Sequence, residues 1–279
     1  MRHFDSVPGS SEVMSDAVHL LGIPFDGAAS ARKGAASAPD AIRRAFENIE
    51  TYSPYLDKDW SEYRIVDLGN FSLERFLKMA KKLDLKHNNI KFITMGGDHS
   101  VSLAPISIYL DQYPGLAVVH LDAHADLRLE YDGNPCSHAC IMRRVVEKFS
   151  KKNRLIQYGI RSGTREEFAW IREKKTMPKD LRGLRHAVDE LDSRLPIYLT
   201  LDLDFFDPAF LPGTGTPEAG GENFQSFMGL LHLLDGKNFV GADIVELAPG
   251  IDGTGNSSFM AAKVMREIML AMCRPRNKR

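Results

Sequence analysis

Long apolar runs are missing from this sequence. None approaches the roughly 18 residues that a membrane-spanning helix needs, so no membrane span is expected. Cysteine is scarce, with only Cys136, Cys140 and Cys273 present. So small and odd a set argues against a disulfide framework and for a reducing, cytoplasmic setting. The opening stretch, MRHFDSVPGSSEVMSDA, lacks the apolar core of a signal peptide. Neither sign of charge is in excess: the formal net charge is −1. That gives no broad basic surface for nucleic acid. No Pro-rich or Gly/Ser linker divides the chain, and no internal repeat is visible.

What is present fits a globular α/β protein. The 279 residues, 43% hydrophobic and 26% charged, are enough to bury a sizeable core. Short apolar runs predict strands at 18–23, 63–68, 90–95, 116–121, 154–160, 195–201 and 239–245, with a weaker one near Thr176. Helical spacing predicts helices over 73–83, 101–113, 138–149, 165–174, 179–191, 224–234 and 258–272. Another is predicted from Ser37 to about residue 50, with Ser37 and Asp40 as a capping pair and Pro39 in the first turn. Residues 1–16 and the tail CRPRNKR read as irregular. Strands alternate with helices throughout, which implies right-handed crossovers. The expectation is one domain, 1–279, with a mostly parallel sheet of about eight strands and helices on both faces.

Chemistry concentrates in three places. VVHLDAHAD, residues 118–126, places Asp122, His124 and Asp126 at alternate positions as a strand ends. In extended backbone those side chains share a face. GGDHS (96–100) and LDLDFFDP (201–208) follow two other apolar runs and add His99, Asp202 and Asp204. All six side chains would lie past the carboxyl ends of strands, where open α/β sheets bind ligands. Four carboxylates carry about −4 when ionised, a charge that two divalent cations balance and one does not. Carboxylate and imidazole without thiolate favour Mn²⁺ over Zn²⁺ on hardness. Two metals about 3.5–4 Å apart can share a water and make it hydroxide near neutral pH. The reaction class is then metal-assisted hydrolysis.

These motifs resemble those of the ureohydrolase family of arginases and agmatinases. The family's GGDHS, DAHAD and SxDxDxxDPxxxPGTGTPxxGG stretches are matched at 96–100, 122–126 and 200–221, with Thr200 where the family commonly has Ser. The match runs from LGIPFDG to the closing helix. The resemblance implies an arginase-like three-layer α/β/α fold and two Mn²⁺ per subunit. It puts His99, Asp122, Asp126 and Asp202 on one ion, and His124, Asp122, Asp202 and Asp204 on the other. Asp122 and Asp202 would bridge, and Asp126 would orient the hydroxide. His138 matches the family's proton shuttle, and Glu246 in ADIVELAP matches its guanidinium-binding carboxylate. Hydroxide would attack the guanidinium carbon, and the amine would leave protonated as urea is released. Trimers or hexamers are the family's assemblies.

Other readings of the same residues stand beside these. His138 opens a helix and could cap it. Glu246 ends a buried strand and could pair with a structural Arg. PGTGTP, 212–217, is followed by no GK[ST] and reads as a rigid pocket loop rather than a phosphate cradle. Cys136 and Cys140 flank His138, but with one further Cys they read as packing residues. His120 lies deeper in its strand and reads as support or core. Arg43 and Arg44 read as structural. For substrate, Glu130 and Asp132 on the loop before His138 would favour a distal amine, whereas Arg128 could hold a guanidino acid. The sequence there reads SHAC rather than the DHG common in agmatinases. Agmatine, cleaved to putrescine and urea, is the expected substrate. N1-aminopropylagmatine, arginine, a guanidino acid and formiminoglutamate are the alternatives. A two-metal phosphoesterase would want a GNH[ED] segment, which is absent. A binding protein that has lost its chemistry would not need all six ligands with His138 and Glu246.

Overall fold

The structure is a computed structural model that describes residues 12–273. The expectations for residues 1–11 and 274–279 lie outside the described residues; residues 12–16 are irregular, as expected. In chain order the strands are β1 (Ala17–Gly22), β2 (Tyr52–Ser53), β3 (Lys58–Asp59), β4 (Ile65–Asn70), β5 (Ile90–Met95), β6 (Ala117–Leu121), β7 (Arg154–Tyr158), β8 (Ile197–Asp202) and β9 (Phe239–Val245). The helices are α1 (Ala38–Phe46), α2 (Leu73–Ala80), α3 (Leu103–Gln112), α4 (Ile141–Val146), α5 (Arg165–Lys174), α6 (Leu181–Asp189), α7 (Phe224–Leu234) and α8 (Asn256–Met272).

Seven strands form one sheet in the order β4-β1-β5-β9-β8-β6-β7, and every pairing in it is parallel. Strands β1, β5, β6, β8 and β9 are buried along their whole length. That burial on both faces is why they read as unbroken apolar runs rather than alternating ones. One face carries α1, α6, α7 and α8, which contribute Ile42, Leu184, Phe227 and Ile268 to one core. The other carries α2, α3, α4 and α5, which contribute Phe76, Ile106, Ile141 and Ile171 to a second. The layers are therefore helix, sheet, helix.

The register decides where the site falls. Leu121 pairs with Leu201, Leu201 with Ile244, and Met95 with Ile244. The neighbouring strands β5, β9, β8 and β6 thus end level, and the residues just past them share one rim. Gly97 lets the first of these connections pass. A Cβ there would lie 1.5 Å from the Phe25 carbonyl oxygen, and Asp98 N–H donates to that same oxygen at 2.8 Å.

Several expectations need correction. Among the described residues the sheet has seven strands, where about eight were expected. Thr176 is irregular, although its carbonyl accepts from Gln157 N–H at 2.8 Å along the β7 edge. Pro178 follows two residues later and offers no donor to extend a ladder. Ser37 and Asp40 form no capping box. Ser37 Oγ donates to Gly34 O at 2.7 Å in a 3-10 turn (Ala35–Ser37) that runs straight into α1. The helix also stops at Phe46 rather than about residue 50, where the Asn48 amide folds back onto Arg44 O. The β2–β3 hairpin was not foreseen, because two-residue strands leave no period to read. It is tied to α8 by Ser53 on Glu267 and by Arg266 on the Glu50 and Tyr52 carbonyls. Cys140 is buried as a packing residue would be, but Cys136 is exposed. Arg43 is structural, pairing with Asp67 across to β4.

Candidate metal centre and hydrolytic site

The six carboxylate and imidazole side chains meet at that rim. Asp122, His124 and Asp204 offer ligand atoms within 4.8 Å of one another, and so do His99, His120, Asp122 and Asp126. Asp122 belongs to both groups. Asp202 lies outside both, with its Oδ2 3.6 Å from His99 Nδ1. His99 Nδ1 stands 3.1 Å from Asp122 Oδ2 and 3.0 Å from Asp126 Oδ2. His124 Nδ1 stands 3.0 Å from Asp204 Oδ2 and 3.6 Å from Asp122 Oδ1. Asp126 holds φ of +53° and Glu246 φ of +65°. Left-handed backbone at two non-glycine residues is a conformation that functional sites sustain.

The bonds behind the cluster set its protonation. Thr200 Oγ1 donates to Asp243 Oδ1 at 2.7 Å, so its lone pair is left to accept from His99 Nε2 at 2.9 Å. Tyr198 OH donates to the other Asp243 oxygen. His99 therefore carries its proton on Nε2 and turns the Nδ1 lone pair toward Asp122, Asp126 and Asp202. Nδ1 is buried and has no hydrogen-bond partner among the described residues. A lone pair facing carboxylates is repulsive unless a proton or a metal cation lies between them, so these residues fit a metal that displaces a proton. His120 is the reverse case. Gln157 Nε2 donates to its Nδ1 at 3.1 Å, so Nε2 keeps the proton and donates to Asp122 Oδ2 at 2.8 Å. For that reason His120 supports Asp122 rather than offering a ligand atom, although it lies within reach.

Charge crowding without a cation appears in the acidities. Burial raises Asp202 well above the usual carboxylate range, with the charges of Asp204 and Asp122 adding to it. Burial and Asp122 push Asp204 to about 6. Burial would lower His99 and His124, but the carboxylates raise His99 well above its ordinary value and His124 to about 12. Burial would raise Asp122, yet His120, His124 and His99 hold it well below the usual range.

The cluster opens into a cavity of roughly 200 Å³, small for a ligand pocket. Its walls include Ser30, Asp126, Arg128, Tyr131, His138 and Thr216. His138 Nδ1 donates to Glu246 Oε1 at 3.1 Å, and His99 N–H donates to the same oxygen at 2.8 Å. Among the described residues Glu246 pairs with no Arg, and its Oε2 faces Gly215. Burial would lower His138, but Glu246 raises it above its ordinary value. Glu130 and Asp132 are exposed and do not line the cavity, which corrects the reading that they face the substrate. The acid on that wall is Glu167, whose Oε2 is 3.8 Å from Arg128. Sequence reasoning did not single out Ser30, Asp243, Gln157, Thr216 or Glu167. Two of them carried a signal: Thr216 lies in the PGTGTP loop read as shaping the pocket, and Asp243 is the first residue of the DIVE stretch.

The arginase family model matches residues 16–271. The chain belongs to the arginase family. It is 36% identical over 269 residues to an agmatinase of Bacillus subtilis, covering 92% of this chain and 91% of that one. It is 36% identical over 242 residues to an N(1)-aminopropylagmatine ureohydrolase of Thermococcus kodakarensis, covering 82% of each. Among solved structures, a putative agmatinase from Clostridium difficile superposes with a TM-score of 0.83 at 37% identity, covering 93% of this chain and 98% of that one. As an arginase-family member the chain is a hydrolase of guanidino compounds. The family is metal-dependent, and the buried His/Asp cluster is where this member could hold metal.

Proposed function

We propose that this arginase-family chain hydrolyses agmatine to putrescine and urea at a centre of two Mn²⁺ ions per subunit. One observation carries the reading: two donor groups share Asp122 and open on a cavity that His138 also lines. His99, Asp122, Asp126 and Asp202 would hold one ion, and His124, Asp122, Asp202 and Asp204 the other. Oxygen-rich donors without thiolate suit Mn²⁺. Bound there, the ions would supply Lewis-acid activation of water and neutralise charge.

The chain's own residues do the rest. Asp126 orients the attacking water. Both hydrogen bonds to Glu246 fall on Oε1, which leaves Oε2 to receive a guanidinium N–H. That contact would orient the substrate carbon toward the cluster. His138, held protonated more strongly by Glu246, delivers a proton to the leaving amine. Three free cysteines agree with a cytoplasmic setting, and no described helix is long and apolar enough to cross a membrane. We propose that the whole chain acts as one domain and assembles as a trimer or hexamer, which sedimentation would test.

Agmatine is supported by the relatives' names rather than by Glu130 and Asp132. A second reading, a guanidino acid, is favoured by Arg128 on the cavity wall. Urea release in Mn²⁺ from agmatine, N1-aminopropylagmatine, arginine and guanidinobutyrate separates them. Agmatine is expected to give the highest kcat/KM. A preference for guanidinobutyrate would assign the distal group to Arg128. Urea from arginine but not agmatine would overturn the reading.

A further inference from the structure

Both ring nitrogens of His138 are engaged. Nδ1 faces Glu246, and Nε2 faces Ser30, with Ser30 Oγ 2.8 Å away. The Ser30 amide N–H also points at Nε2, at 3.3 Å. Ser30 itself lines the cavity. His138 therefore presents to that side a nitrogen already covered by a hydroxyl. An amide N–H can only donate, and so it suits the neutral ring. A hydroxyl can donate to the neutral ring and accept from the protonated one. It is the partner that can reverse when the proton moves.

The position of Ser30 is built by the fold. Two residues before it, Ala28 N–H donates to Asp98 Oδ2 at 2.8 Å. Two residues after it, Arg32 donates to the Thr214 and Gly215 carbonyls at 2.9 and 3.2 Å. Gly34 N–H donates to Asp26 Oδ2 at 3.0 Å and closes the loop on itself. Asp98 precedes the candidate ligand His99, and Gly215 faces Glu246 Oε2. The loop that carries Ser30 is thus clamped to both sides of the site.

We propose that Ser30 relays the proton from His138 to the leaving amine. The proton on Nε2 passes to Ser30 Oγ as the Ser30 hydroxyl proton passes to the amine nitrogen. The C–N bond breaks and its electron pair takes that proton. Ser30 ends as a hydroxyl and His138 as a neutral ring, reloaded by the proton that the attacking water releases. One proton has moved through two donors, and nothing is oxidised or reduced.

The relay rests on the guanidine-hydrolysis reading above. The test takes wild type, Ser30→Ala and Ser30→Thr as Mn²⁺-loaded enzymes on the panel substrate that wild type turns over fastest. It measures kcat, KM and the dependence of kcat on the D₂O fraction. Ser30→Ala is expected to lose about 10–100-fold in kcat with KM changed less than about threefold, whereas Ser30→Thr keeps most of the rate. The wild-type D₂O dependence should be curved, with two protons in flight, and should change form in Ser30→Ala. Wild-type kcat in Ser30→Ala, or a fallen kcat with an unchanged D₂O curve, overturns the relay and leaves guanidine hydrolysis standing. A wild type inert on every panel member removes that reading and the relay together.

Discussion

His99 shows how one residue's tautomer is written by its neighbours. Thr200 is committed as a donor to Asp243, so it can only accept from His99, and the Nδ1 lone pair is left to face three carboxylates. Thr200→Val keeps the shape and removes both bonds. It is expected to weaken Mn²⁺ affinity about 10–100-fold with the fold intact, as read by metal titration and circular dichroism. Glu246 acts on His138 in a similar way, through charge. Its carboxylate favours the imidazolium, so Glu246→Gln should lower the His138 pKa. The alkaline limb of kcat against pH should then move to lower pH. An unmoved limb would mean that His138 is not the group that titrates. The six ligand candidates were legible at this scale because DAHAD places three of them at period two and the other two motifs place the remaining three just past predicted strand ends. Ser30 was not, because it meets His138 from 108 positions away in sequence and no spacing rule connects them. Glu130 and Asp132 misled for a related reason: charge on a loop says nothing about which way the loop faces.

At the scale of elements, the site exists because four adjacent parallel strands end level. Their long buried runs made β5 and β9 readable to the residue. The ends of α1 and α2 were less legible, because turns and side-chain hooks such as Asn48 on Arg44 O set them. The β2–β3 hairpin had no readable period, and tertiary bonds to α8 hold it in place. Gly97 is the tightest point. A side chain there meets the Phe25 backbone, which cannot move without pulling the Asp98 N–H bond and the loop that carries Ser30. Gly97→Ala is expected to destabilise the fold by about 3 kcal/mol or more, and a denaturant midpoint near wild type would contradict that.

For the whole molecule, metal and protons compete for one cluster. Without a cation, His99 and His124 hold protons well past neutrality, and Asp202 is raised as well. Metal binding must displace those protons, so affinity rises with pH and falls as acid is added. Between pH 6 and 8 the binding constant should increase by about 100-fold per pH unit if two protons leave. Calorimetry in buffers of different ionisation enthalpy would count them. Since only the folded chain assembles the cluster, Mn²⁺ at about a thousand times its Kd should add about 4 kcal/mol of stability, which a chelator removes. The most direct test of a two-ion hydrolytic centre is to titrate metal-stripped protein with Mn²⁺ while urea release from agmatine is followed. The rate should climb until two equivalents per chain are bound and then level off. Full activity at one equivalent, or no urea at any loading, would contradict the account.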